Sequence, residues 1–159
     1  MEFDYVEHLK AAEFHWFFVQ GEQAIASDLY VPGAASLIAG VEASVRSTLH
    51  RLDGKDVDDD LGATLSNSLL RVAATRGLPV QALSFPGETD LLVRVQRREP
   101  YAEIVRIRHN LAHGNIMEYL NKEFGIFTPE CLRDLSRQLV ATARRWARDL
   151  GQFRQLALS

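Results

Sequence analysis

The chain has 159 residues, 47% of them hydrophobic and 25% charged, with a single cysteine. Those values fit one globular domain, residues 1–159, and exclude a disordered chain, an internal disulfide and a zinc site built on thiolates. The formal net charge of −3 hides an asymmetry, because residues 1–60 sum to −8, residues 61–93 to zero and residues 94–159 to +5, the last with all but one of its bases arginine.

An Arg-rich surface within a mildly acidic protein suits a polyanion locally, while the acidic remainder limits non-specific adhesion. The plainer alternative places these arginines on solvated helix faces. No run of about 18 apolar residues exists, so no membrane span is expected. The acidic start, Glu2-Phe3-Asp4, is unlike a secretory leader, and the expected compartment is the reducing cytoplasm.

Apolar spacing predicts helices throughout. Phe3, Val6, Leu9, Phe14, Phe17, Phe18 and Ile25 suit one long amphipathic helix over residues 3–28, which Pro32-Gly33 is expected to break. Ile38, Val41, Val45, Leu49 and Leu52 mark a second helix ending near Asp53-Gly54. An acidic loop follows, and Leu61, Leu65, Leu69, Val72 and Ala73 mark a third helix stopping at Gly77. Residues 77–100 are irregular, with Thr89-Asp90 as the cap of a short helix through Arg97. Pro100 suits the first position of a helix through Ile104, Ile107 and Leu111 that Gly114 ends or bends. Residues 115–127 are open between turn, hairpin and helix. Thr128-Pro129-Glu130 starts the last helix, with Leu132, Leu135, Leu139, Trp146, Leu150 and Phe153 on one side and arginines on the other. The expected fold is an all-α antiparallel bundle of four to five helices.

Residues 104–113 break the pattern. On a helical wheel Ile104, Val105, Ile107, Leu111 and Ala112 occupy an arc of about 160°, with Arg108 inside it. Arg106, His109, Asn110 and His113 fall opposite. A guanidinium in an apolar stripe belongs to an ion pair, a subunit interface or an anionic ligand. Arg108 and His113 are about 140° apart, so a straight helix does not aim both at one point. Glu42 is similarly misplaced between Ile38 and Val45. It is expected either to pair with Arg46 four residues on or to orient Arg108 or His113.

The run Arg108-His109-Asn110-Leu111-Ala112-His113-Gly114 resembles the signature of the HEPN superfamily, in which an Arg and a polar residue precede a His by a few positions. That resemblance would span essentially the whole chain. It implies a small helical bundle, a homodimer, and a metal-independent ribonuclease site built from Arg and His of both subunits, with Glu42 matching an acid of the second helix. A phage-defence or toxin–antitoxin setting, with an antitoxin or regulatory partner protein, is implied by the resemblance alone. Asn115 stands where one variant of the superfamily has a tyrosine, so silencing by modification of that tyrosine is not expected.

Metal-free RNA cleavage uses the 2′-hydroxyl as nucleophile, a base and an acid to move protons, and a cation to stabilise the phosphorane. Histidine, with an unperturbed pKa of about 6.5, suits the first two roles; arginine suits the third. The expected catalytic residues are therefore His113 and Arg108, supported by Asn110, His109 and Glu42, with Arg106 and Asn115 contacting RNA and no cofactor. His109 and His113 could instead hold a metal if His8, His15 or His50 supplied a third ligand. The acidic run Asp56–Asp60 departs from a calcium loop, because Gly62 comes one position late and Asn67 replaces the bidentate Glu. Cys131 is expected to be a small buried residue. The rival from another class is a non-catalytic domain that binds a protein or nucleic acid.

Overall fold

A computed structural model describes residues 2–54 and 64–158, which are helical or in turns, bends and irregular loops, with no strand among them. Seven α-helices form there: α1 (Tyr5–Leu9), α2 (His15–Ala26), α3 (Tyr30–Asp53), α4 (Asn67–Thr75), α5 (Leu91–Arg94), α6 (Glu103–Ala112) and α7 (Arg133–Ala157). The all-α fold is as the periodicity predicts, but several boundaries differ for identifiable reasons.

The expected helix over residues 3–28 is two helices. Lys10, at φ 56°, closes α1 in the left-handed conformation and its N–H bonds back to Val6. The cause is not local: α1 crosses α7 so closely at Gly151 that a Cβ there would overlap the His8 carbonyl oxygen. Nor does the chain break at Pro32-Gly33. It turns earlier, through Asp28 at φ 63°, and Pro32 sits in the first turn of α3, where a missing N–H has no partner to lose.

Glycines set the α2–α3 contact. A Cβ on Gly21 would lie 2.8 Å from Leu37, one on Gly33 2.5 Å from Ile25, and one on Gly40 2.9 Å from Phe18. These three pairs run in opposite directions along the chain, so α2 and α3 are antiparallel and nearly in backbone contact. The two longest helices, α3 and α7, lie side by side in the same direction: Trp146 Nε1 donates to Ser44 Oγ at 2.9 Å, and Arg154 Nη1 to Thr48 Oγ1 at 2.7 Å. Phe18, Leu37, Val41, Leu69, Leu83, Ile104, Leu139 and Trp146 are fully buried in the core these helices share. Each such aliphatic or phenyl side chain contributes about 1.5–3 kcal/mol by leaving water.

The third helix starts at Asn67, where Ser66 Oγ accepts from the Leu69 N–H; Leu61 and the acidic run Asp56–Asp60 lie outside the described residues. The short helix after Asp90 ends at Arg94 rather than Arg97, and the Asp90 side chain does not cap it but accepts from Arg94 Nε at 3.2 Å. The helix expected from Pro100 begins instead at Glu103. Asn67 is responsible: its side chain, 2% exposed, accepts from Ala102 N–H at 2.9 Å and donates to the carbonyls of Pro100 at 2.9 Å and Arg97 at 3.0 Å. With those groups taken, the chain cannot enter helical hydrogen bonding until residue 103. Thr128 begins the last helical segment as expected, through a 3₁₀ turn (Pro129–Leu132) leading into α7. Cys131 is half-buried rather than buried, because its sulfur accepts from the Thr128 N–H at 3.5 Å at that helix start.

Candidate functional site

The site is built on α6 and on the side of α3 turned away from α2. Ile104, Val105 and Ile107 anchor α6 in the core, which leaves Arg108, Leu111 and Ala112 facing α3. They form one wall of an open groove of about 480 Å³; Ala35, Ile38, Ala39, Glu42, Ala43 and Arg46 form the other.

Arg108 and Glu42, the two charges that the sequence places on apolar faces, meet across this groove. Arg108 Nε stands 3.6 Å from Glu42 Oε2, with side-chain exposures of 23% and 20%. At that distance the contact is an ion pair rather than a hydrogen bond. A partly solvated pair of this kind holds the guanidinium in place while leaving its N–H groups able to take a better acceptor. Of the partners expected for Glu42, Arg108 is therefore one that the structure supplies.

His113 is elsewhere. It is the residue closing α6, fully on the surface, and its ring packs on His109 at 4.6 Å between centroids; His109 in turn meets Tyr101 at 5.6 Å. Gly114, at φ 62°, then reverses the chain, and Asn115 N–H bonds to the Asn110 carbonyl at 2.8 Å. This left-handed closure satisfies the last carbonyls of the helix. It does not bend α6 enough to bring His113 to Arg108: the histidine pair and the arginine lie on different sides of α6, as the wheel requires.

Asn110 differs from expectation. It is 3% exposed, although the wheel puts it opposite the apolar arc. After Gly114 the chain folds back through a 3₁₀ turn (Met117–Tyr119), which covers it. Asn110 Nδ2 donates to the Tyr119 hydroxyl at 3.0 Å, and its Oδ1 accepts from Asn115 Nδ2 at 3.0 Å. Both amides are thus spent on clamping the returning chain to α6. Arg106 is likewise engaged. It donates to Glu103 through Nε at 3.2 Å and pairs with Glu118, and the hydrogen bond to Glu103 raises its pKa further above an arginine's ordinary value.

Among the described residues no three His, Cys, Asp or Glu side chains converge as the ligands of a metal ion would. His15 Nδ1 is 2.8 Å from the Ala12 carbonyl, and His8 stacks on Phe3. No described helix is long and apolar enough to cross a membrane.

One buried cation escaped the sequence pattern. Arg154, 3% exposed, lies four residues after Leu150 and eight after Trp146, on the apolar stripe of α7 rather than its polar face. The 3.6-residue period carried that signal. No protein-family model, curated protein or solved structure matches the chain.

Proposed function

We propose that the protein is a metal-independent endoribonuclease that works as a homodimer, with Arg108 binding the scissile phosphate and His113 moving protons. The observation that carries this reading is Arg108 itself: a charged side chain in the apolar wall of an open groove, held among the described residues by a 3.6 Å ion pair to Glu42. Such a guanidinium can exchange a long carboxylate contact for two short bonds to phosphate oxygens.

The exposed His113 has the right chemistry but sits on another side of α6. A second copy of the chain completes the site in this reading, by setting its own His113 near the first copy's Arg108. Two histidines then serve as base and acid, and His109, packed against His113, limits the rotamers of its ring. Asn110 acts at one remove, through the turn that follows the histidine. The resemblance of Arg108–Gly114 to the HEPN signature supports the same assignment.

The test is incubation of purified protein with mixed RNA in excess EDTA, beside Arg108→Ala and His113→Ala. Cleavage by the wild type alone, leaving 2′,3′-cyclic phosphate ends, is expected, together with sedimentation as a dimer. DNA should resist, lacking the 2′-hydroxyl. Undiminished cleavage by both variants would refute the assignment. A second reading, a non-catalytic domain that binds a partner protein, is favoured by the exposed apolar side chains after α6. Met117 is 73% exposed, Phe124 68% and Ile126 52%. Absence of cleavage with every RNA tried would move the weight there.

A further inference from the structure

A separate cluster of cations lies where α1, α3 and α7 end. Lys10, Arg51 and Arg154, with Gln155 and Leu158, line a pocket of about 340 Å³. Arg51 follows Glu42 by nine residues, which is about 13 Å along α3 and about 180° around it. The pocket is therefore distinct from the Arg108 groove.

Arg154 is the unusual member. Its Nη1 donates to Thr48, but Nε and Nη2 are buried with no hydrogen-bond partner among the described residues. Among the described residues the carboxylate near it is Glu13, whose Oε1 stands 3.9 Å from Arg154 Nη2 and 3.4 Å from Arg51 Nη1. Glu13 is half exposed and too far from Arg154 for a hydrogen bond. The Phe14 ring lies 5.4 Å from the Arg154 guanidinium carbon and offers only its π-face. Lys10 pairs with Glu7 at 2.9 Å, so among the described residues three cations here face two carboxylates. Burial and the neighbouring Arg51 both draw the Arg154 pKa below its ordinary value, Glu13 only partly offsetting them.

A buried guanidinium with two nitrogens left unbonded is disfavoured unless an anion completes it. A carboxylate presents two oxygens in one plane. A phosphate presents oxygens in several directions and can meet a guanidinium fork and two further cations together.

We propose that this pocket binds a phosphate group, free or carried by a mononucleotide, on Lys10, Arg51 and Arg154, with Glu13 as the carboxylate that the phosphate displaces. The site does not depend on the ribonuclease reading. Its test uses the Arg108→Ala protein, so that phosphate bound in the other groove does not contribute. Inorganic phosphate and AMP are each titrated by calorimetry at constant ionic strength, with chloride as the reference ion.

Saturable binding at one site per chain is expected. Lys10→Ala and Arg51→Ala, both at exposed positions, should each weaken it by about tenfold or more. Glu13→Gln should tighten it, since the competing carboxylate is gone. Tighter binding of AMP than of phosphate identifies a nucleotide as the ligand; equal binding identifies free phosphate. No heat of binding beyond the chloride reference, or binding unchanged in both Lys10→Ala and Arg51→Ala, would overturn the proposal.

Discussion

Asn67 offers the sharpest test of how this fold positions its candidate site. Its carboxamide accepts from the Ala102 N–H and donates to the carbonyls of Pro100 and Arg97. Asn67→Ala leaves all three without that partner. The Ala102 N–H is fully buried and cannot turn to water, so its loss alone costs about 1–3 kcal/mol. The two carbonyls belong to exposed residues and regain water in part, which adds roughly 0.5 kcal/mol each. The total is about 3 kcal/mol, and with a urea slope of about 2 kcal/mol/M the unfolding midpoint should fall by about 1.5 M. Asn67→Asp is the more discriminating variant. It keeps the acceptor for Ala102 but turns an oxygen toward two carbonyl oxygens, so it should be as damaging as alanine. Urea unfolding followed by circular dichroism measures both. A midpoint within about 0.3 M of wild type for either variant would refute the argument that Asn67 delays the start of α6.

Two further outcomes follow from the packing. Gly151→Ala gains about 1 kcal/mol of helix propensity but drives a methyl group into the His8 carbonyl. The overlap should dominate, for a net loss of about 2 kcal/mol and a Tm lower by about 6 °C; an unchanged Tm would mean that α1 can lift from α7 freely. Tyr5 donates to Glu22, and burial, then that hydrogen bond, raises its pKa far above the ordinary value of 10.0. An unfolded chain therefore loses the Tyr5 proton near pH 10 while the folded one keeps it, so this contribution is complete below pH 10 and declines as pH rises beyond it. Urea midpoints between about pH 9 and 11 should fall less steeply for Tyr5→Phe than for the wild type, and equal slopes would refute the account.

The features legible in the sequence are those set by local period. The apolar spacing over α3, α4 and α7 gave their faces, and Gly54, Gly77 and Gly114 gave three helix ends at positive φ. The misplaced charges Arg108 and Glu42 pointed to each other across more than sixty residues, and the structure places them 3.6 Å apart. The features that escaped are those set by residues distant in sequence. No local signal says that Gly151 forces α1 away from the line of α2, or that Asn67 reaches forward to hold residues 97–102. A wheel places Asn110 on an open face because it carries nothing of Tyr119, which folds back over it. Arg154 is a different case. Its spacing from Trp146 and Leu150 puts it on the apolar stripe, although arginine is mostly found on an outer face.

The alanines along α3 carry a further consequence. Ala35, Ala39 and Ala43 floor the Arg108 groove, while the opposite flank of the same helix is pinned to α2 by glycines. The groove's width there is therefore set by single methyl groups, and its charge by Glu42, Arg46 and Arg108. Capacity and polarity reside at separate positions one turn apart. A larger side chain at Ala39 would shut the space without disturbing the ion pair, and a neutral one at Glu42 would change the pair without altering the space. What the groove admits and what it attracts can thus diverge independently, with the rest of the helical bundle left as it is.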